Sequence, residues 1–437
     1  MEKDENYNKH FNLPENNYPK IVVIGAGFAG VNFVKKMKDQ PVQVILLDQN
    51  NFHQFQPLLY QVVISGLEPD SIIAPIRKLF KSCINMIYRM AEVEYIDTKL
   101  NKVQTYSGYI DYDYLVIATG SSTNYYGNKN IEKYSIGLKS IHDTLNIRSW
   151  MLQQLEKAVD GINNLNKEAL IKFVIVGGGP AGVEMAGSLA EFKKYLLKND
   201  SPEIETELME IILIQPADRI LPMMSQKASS HALKTLQKLD VNVMLNSRFL
   251  DYDGDTISIK REQTDIIINA RTVIWTAGVK GNALNGIPEA SIVPGNRLKV
   301  NTYGQVDGFE NIFAIGDVAA MITEEKPKGH LMVAQVTIQQ GQLLAQNLIN
   351  KVKYHKFTKS FHYKNKGSMT TIGKKDAVAD LKHTFLNGRI GWVLWSFIHL
   401  ISITGFKNRY KVGFNWMMKY FSYEKVNQFI INKYQRK

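Results

Sequence analysis

A single cysteine, Cys83, occurs in 437 residues. One thiol cannot form an internal disulfide, so a disulfide framework is excluded and a reducing compartment is expected. A transmembrane span is the weaker reading of the longest apolar run. The apolar and aromatic stretch from Ile390 to Phe406 runs 17 residues without Lys, Arg, Asp or Glu. As a helix it covers about 25 Å, short of a hydrocarbon core of ~30 Å, and it includes Ser396, His399, Ser402 and Thr404. The polar arm up to residue 19 has no apolar h-region and no Arg-rich amphipathic pattern, so no secretory or organellar signal is expected. Acids are scarce toward the end of the chain. From Lys351 to Lys437 there are 18 Lys and Arg against 3 acids, a local +15 within a net charge of +12. The preceding part is therefore slightly acidic.

With 45% hydrophobic and 22% charged residues, the chain can bury a large core, and its length predicts two or three domains. The basic tail could in principle address nucleic acid. Its interleaving with Trp392, Trp395 and Trp416, and with Lys407, Arg409 and Lys411, fits a membrane surface better. Tyr410, Phe414, Met417 and Phe421 recur at helical spacing, with Arg409, Asn415, Lys419 and Ser422 left for the other side. A pair of interfacial helices is expected. The other reading of the stripe is a dimer interface or packing on the body of the protein.

Two glycine-rich loops carry the strongest signal. IVVIGAGFAG (Ile21 to Gly30) and FVIVGGGPAGVE (Phe173 to Glu184) each follow a run of apolar β-formers and open onto a helical pattern. Gly25, Gly27 and Gly30, and then Gly177, Gly179 and Gly182, sit at the spacing of a dinucleotide fingerprint. The first glycine permits the turn, the second lets backbone approach a pyrophosphate, and the third lets helix pack close to strand. The helix N-terminus supplies N–H groups and partial positive charge. A single copy could be a tight turn. Two copies in one chain point to electrons passed between two nucleotides.

The residue ending the next strand separates the loops. VQVILLDQN ends in Asp48, placed to accept from ribose hydroxyls, so the first loop reads as an adenosine site. EIILIQP ends in Gln215, an amide that does not repel a 2′-phosphate, so this site should tolerate NADPH better than an acid would. A neutral substitution without consequence is the equal alternative. Further on, DYDYLVIATGS is a buried-type strand running into Thr119-Gly120, and TVIWTAGV repeats that pattern after the second loop. ENIFAIGDVAA predicts a strand, then Gly316-Asp317, then a helix, a suitable place for a ribityl chain and pyrophosphate. Taken alone, Asp317 reads equally as an N-cap.

The order GAGFAG, ATGS, GGGPAGVE, TAGV and FAIGDVAA resembles the two-dinucleotide-binding-domain flavoproteins, the glutathione-reductase-like family, over about residues 20 to 385. The resemblance implies an α/β fold with two Rossmann-like domains, followed by a C-terminal amphipathic helical segment that binds a membrane. FAD would occupy the first site and NAD(P)H the second. Expected boundaries are a polar arm at 1–19, a discontinuous FAD domain at 20–155 and 305–385, an NAD(P)H domain at 156–304 and anchoring helices at 386–437. Disulfide reductases and sulfide:quinone oxidoreductases need paired redox cysteines, which one Cys cannot supply. FHQFQPLLYQVVISG, AQVTIQQG, GSMTTIGKKDAVAD and the aromatic tail instead look like type II NADH dehydrogenases, peripheral NADH:quinone oxidoreductases.

That resemblance places Glu184 at the nicotinamide end, where its ordinary reading is a first-turn acid favoured by the helix dipole. It places Gln335 and Gln339 at the quinone, as amide donors without buried charge, with Thr337 where the family has Ala. Lys374 falls near the flavin by motif position. A membrane quinone (menaquinone or ubiquinone), a membrane surface and a second copy of the chain are the expected partners, at the cytoplasmic side of the cell inner membrane. No metal site and no nucleic acid are expected. Proton pumping is not expected without a transmembrane bundle of ionisable residues. The alternatives are an NAD(P)H oxidase or diaphorase of the same fold, and a membrane-associated redox sensor with little turnover.

Overall fold

The computed structural model describes residues 10–160, 166–197, 208–421, 429–430 and 433–436. In chain order its site-forming elements begin with β1 (Lys20–Ile24), α1 (Phe28–Lys36), β2 (Gln43–Asp48), α2 (Leu59–Val63), β3 (Met86–Met90), β4 (Tyr114–Ile117) and β5 (Ile136–Gly137). They continue with β6 (Lys172–Val176), α3 (Pro180–Glu191), β7 (Glu210–Ile214), β8 (Val241–Met244), β9 (Thr272–Trp275) and β10 (Ile312–Ala314). Last come α4 (Ala334–Tyr354), β11 (Ser368–Thr371), α5 (Gly388–Ser402) and α6 (Phe406–Phe421).

These elements fall into two compact units. The first takes residues up to His53, Ala74–Ser122 and Val279–Asn365; the second takes Gln54–Ile73, Thr123–Gly278 and everything from Lys366. This division differs from the expected boundaries in four places, one being that residues 366–385 fall in the second unit and not in the FAD domain. The helix Ile141–Asp160 joins the second unit because its Trp150 donates to the Arg271 carbonyl just before β9. The strand Arg297–Val300 joins the first because it pairs with Ala319–Met321. The segment Gln54–Ile73, with α2, is an insertion from the first loop region into the second unit.

The first unit is built on a parallel sheet of order β10-β4-β1-β2-β3. Its central strand is buried on both faces, which is why it reads as an unbroken β-branched run. Side chains alternate between the faces. Ile21 and Val23 meet Phe33 of α1 and Leu344 and Leu348 of α4, while Val22 and Ile24 meet Ile96, Val103 and Ile110. Truncating any one of them loses about 1.5–3 kcal/mol of transfer energy. The described part of the N-terminal arm is ordered against this unit: Phe11 N–H donates to the Tyr109 carbonyl, and Gln43 Nε2 donates to that of Pro14. Residues 1–9 of the expected arm lie outside the described residues.

The second unit repeats the plan with order β5-β9-β6-β7-β8, again all parallel. Both sheets therefore place the first strand and its glycine loop beside the strand where the order reverses, the crevice in which open α/β sheets bind ligands. The second unit ends in α5 and α6, joined at Gly405 with φ +95°. No helix among the described residues is long and apolar enough to cross a membrane.

Candidate active site

In the first unit the glycines of the loop do three different jobs. Gly25 has φ +106°, and a Cβ there would lie 2.3 Å from the Ala118 carbonyl oxygen. At Gly30 a Cβ would lie 1.9 Å from the Gly25 carbonyl oxygen, so helix and turn touch backbone to backbone. Gly27 is the N-cap of α1, offers no side-chain cap, and has nothing within 4 Å of where a Cβ would be. That is open room in front of a helix N-terminus, the shape that accepts a pyrophosphate. Asp48 ends β2 and stiffens the loop: its Oδ2 accepts from Ala26 N–H at 2.6 Å and its Oδ1 from Asn50 N–H at 2.7 Å. Burial raises its pKa against the pull of those bonds. Behind the loop, buried His53 donates from Nδ1 to the Ala26 carbonyl at 2.8 Å and is held neutral, its pKa pushed down by burial to about 4.

Thr119 Oγ1 donates to the Asn282 carbonyl at 2.7 Å and Asn282 Nδ2 returns a bond to the Thr119 carbonyl at 3.1 Å, so the Thr119-Gly120 turn is fixed with Gly120 at φ +70°. At Gly316-Asp317 the expected helix is absent. A single 3-10 turn, Gly316–Val318, leads directly into the strand Ala319–Met321. The cause is Arg297, buried at 7% exposure, whose guanidinium donates to the carbonyls of Asp317, Ala319, Lys328 and His330. Carbonyls of Asp317 and Ala319 that would accept along a helix are taken instead by one side chain. Asp317 itself accepts from Ser121 Oγ at 2.5 Å and from Thr337 Oγ1 at 3.2 Å.

The second unit has the same loop geometry. Gly177 has φ +110°, a Cβ on Gly182 would lie 1.9 Å from the Gly177 carbonyl oxygen, and Gly179, the N-cap of α3, has nothing within 4 Å. Gln215 occupies the place that Asp48 has in the first unit, with Oε1 accepting from Gly178 N–H at 2.8 Å and Nε2 donating to the Arg219 carbonyl at 3.2 Å. It is buried and serves first as a brace of the loop.

Glu184 lies in the second turn of α3, not the first, and is buried, so the helix-dipole reading does not account for it. Burial pushes its carboxyl well above the ordinary carboxylate range, opposed only in part by the Thr371 N–H that it accepts. Burial therefore favours the protonated, uncharged form of this acid. Thr371 Oγ1 meets Tyr60 Oη at 2.8 Å, and Gln61 Nε2 donates to that same phenol at 3.0 Å. Lys374 is bonded through its backbone N–H to Glu191, at the far end of α3 from the glycine loop.

Gln335 and Gln339 share one face of α4 in the first unit. Gln339 grips Lys364 through both amide atoms, Nε2 to the carbonyl at 2.9 Å and Oε1 from the N–H at 3.0 Å, so one of its two N–H donors is engaged. Gln335 accepts from Tyr363 Oη at 3.4 Å. On the C-terminal pair, Phe397, Ile401, Tyr410 and Phe414 are exposed while Trp395 is fully buried, stacked 4.1 Å from the His399 ring. Trp416 donates to Gln61 Oε1 at 2.8 Å. Trp395 and Trp416 thus serve packing on the second unit, and the exposed stripe is aliphatic and Phe/Tyr. Side chains of Lys419 and Phe421, and all of Ser422, lie outside the described residues.

A family described as "Pyridine nucleotide-disulphide oxidoreductase" matches residues 19–341, and "NDH2 C-terminal domain" matches residues 365–422. The type II NADH:quinone oxidoreductase Ndh of Mycobacterium tuberculosis is 31% identical over 92% of this chain and 88% of its own length. NdhA of the same organism is 32% identical over 91% and 86%. The chain belongs to the type II NADH dehydrogenases. NDH2 of Plasmodium falciparum in complex with NADH shares the fold, with a TM-score of 0.85 at 22% identity, covering 95% of this chain and all of that one. The sulfide:quinone oxidoreductase of Aquifex aeolicus is similar at a TM-score of 0.71 and 18% identity, over 90% of this chain and 92% of that one.

As a type II NADH dehydrogenase the chain uses FAD and NADH; the first unit offers open room at Gly27 together with the carboxylate acceptors Asp48 and Asp317. The fold's disulfide chemistry has no counterpart here: Cys83 is alone, buried, and its thiol is pushed up by burial. Reasoning from sequence missed Ser121, Asn282, Arg297, Gln340, Tyr60 and Thr371. Each acts across at least 20 residues of chain, and no local pattern marks that reach.

Proposed function

We propose that this chain is a peripheral NADH:quinone oxidoreductase that moves a hydride equivalent from NADH to FAD and two electrons on to a membrane quinone. The observation that carries the reading is the duplicated loop, each copy with the same open room at its second glycine. FAD, when bound, supplies the redox chemistry. Around it, Gly27 and the first turn of α1 would hold the pyrophosphate, and Asp48 the adenosine ribose. Asp317 would hold the ribityl chain and Thr119-Gly120 would close on it. Gly179 and the first turn of α3 would hold the NADH pyrophosphate. Glu184, whose protonated form burial favours, is an acid placed to bond the nicotinamide amide. Gln335 is the amide we assign to the quinone, with Gln339 as the brace that fixes the segment at Lys364 beside it. The uncharged brace Gln215 leaves NADPH usable as a second coenzyme.

The membrane reading rests on the stripe formed by Ile390, Val393, Phe397 and Ile401 on α5 and Phe406, Tyr410, Phe414 and Met417 on α6, all exposed. Exposed Lys407 and Arg409 lie at its edge, and such charges favour the anionic cytoplasmic face of an inner membrane. The same stripe suits a second copy of the chain. Sedimentation with and without detergent separates a lipid-facing stripe from one that pairs two copies.

Rapid mixing tests the reaction. Anaerobic NADH should bleach the flavin band, and a water-soluble quinone added afterwards should restore it within the turnover time. A flavin bleached by NADH but restored only by oxygen, with stoichiometric peroxide, would identify an oxidase and end the quinone reading.

A further inference from the structure

The helix α4 presents two faces with different tasks. Gln335 and Gln339 project toward Tyr363 and Lys364, whereas Thr337, Gln340 and Gly341 face the nucleotide side of the same unit. Gly341 lets the helix lie against the first loop, since a Cβ there would be 2.5 Å from the Ala29 carbonyl oxygen. Gln340 is buried and its Oε1 accepts from Gly316 N–H at 2.7 Å. Thr337, exposed by only 7%, donates to Asp317 Oδ1 at 3.2 Å, and its methyl group borders Gly316.

The Gly316-Asp317 turn is therefore held at four points: its leading N–H by Gln340, its trailing carbonyl by Arg297, and its two carboxylate oxygens by Ser121 and Thr337. We propose that Thr337 is a positioning residue for FAD, its hydroxyl fixing the rotamer of the Asp317 carboxylate so that both oxygens are set before the ribityl chain arrives. The proposal rests on the FAD reading of the first loop. The two hydroxyl bonds, one to each carboxylate oxygen, orient the group. Preorganising an acceptor removes an ordering cost that ligand binding would otherwise meet. Where the family resemblance has Ala, this chain adds a donor from the same helix that carries Gln335, so one element steadies the flavin turn and presents the quinone amide.

The test measures FAD release from purified holoprotein on dilution, followed by the rise of free-flavin fluorescence, for wild type, Thr337→Val and Thr337→Ser. Val keeps the shape and removes the hydroxyl; Ser keeps the hydroxyl and removes the methyl. Loss of one hydrogen bond to a charged group predicts release about tenfold faster for Val, and Ser within about twofold of wild type. Equal release from Val and wild type, or Ser as leaky as Val, overturns the proposal. A Val protein purified without flavin is scored by adding FAD: uptake weakened about tenfold supports it, and uptake equal to wild type overturns it. If the wild type itself holds and takes up no FAD, the reading of the first loop fails, and this inference with it.

Discussion

At the scale of single residues, Glu184 is a carboxyl that burial moves well out of the ordinary carboxylate range. Its carboxyl is buried, accepts one backbone N–H, and is raised well above its reference value of 4.5. The folded protein thus holds a proton that the unfolded chain releases once the pH passes 4.5. In that window the folded state binds more protons, so its stability falls as pH rises toward the folded value. Glu184→Gln stays neutral and can still accept from Thr371. Its melting temperature relative to wild type should be unchanged below pH 4.5 and should climb steadily above it. A difference that stays flat across pH would mean the carboxyl is ionised in the fold, and the neutral-acid role would be lost. His53 works in the other direction. Its pKa is depressed to about 4, so the contribution it makes is present at neutral pH and fades as the medium is acidified toward that value.

At the scale of elements, the glycine loops were legible because everything they need is local: an apolar strand, three glycines at fixed spacing and a helix start. The turn at Gly316 was not. FAIGDVAA has a good helix-start pattern, but Arg297, 20 residues earlier than Asp317, takes the carbonyls a helix would use. The C-terminal pair was legible in part. Helical spacing found both helices, yet which side of each meets the body is decided by partners such as Gln61 and Phe55, far away in sequence. Trp395 and Trp416 accordingly face inward while Phe397 and Phe414 face out. That division yields a sharp expectation. Replacing Phe397 and Phe414 together with Asp should abolish co-sedimentation with anionic vesicles, because each removes about 2 kcal/mol of apolar burial before any charge penalty. NADH should still bleach the flavin. Retained vesicle binding would remove the docking face from the proposal.

At the scale of the whole molecule, the duplicated sheet order means that two nucleotide sites were made from one plan, and the question is whether they can be disabled separately. The second glycine of each loop is the position to use. Gly27 and Gly179 both lie outside the left-handed region and have nothing within 4 Å of a built Cβ, so a side chain there strains no backbone and enters only the room reserved for a pyrophosphate. The neighbouring glycines are unsuitable, since a Cβ on Gly30 or Gly182 would collide with backbone at 1.9 Å and damage the fold itself. Gly27→Val should therefore give a folded, colourless protein that still binds NADH, as read by coenzyme fluorescence. Gly179→Val should give a yellow protein that dithionite bleaches and NADH does not. If Gly179→Val lost its colour while Gly27→Val kept it, the two loops would have to exchange cofactors, and the assignments of Asp48, Asp317 and Glu184 would fall together.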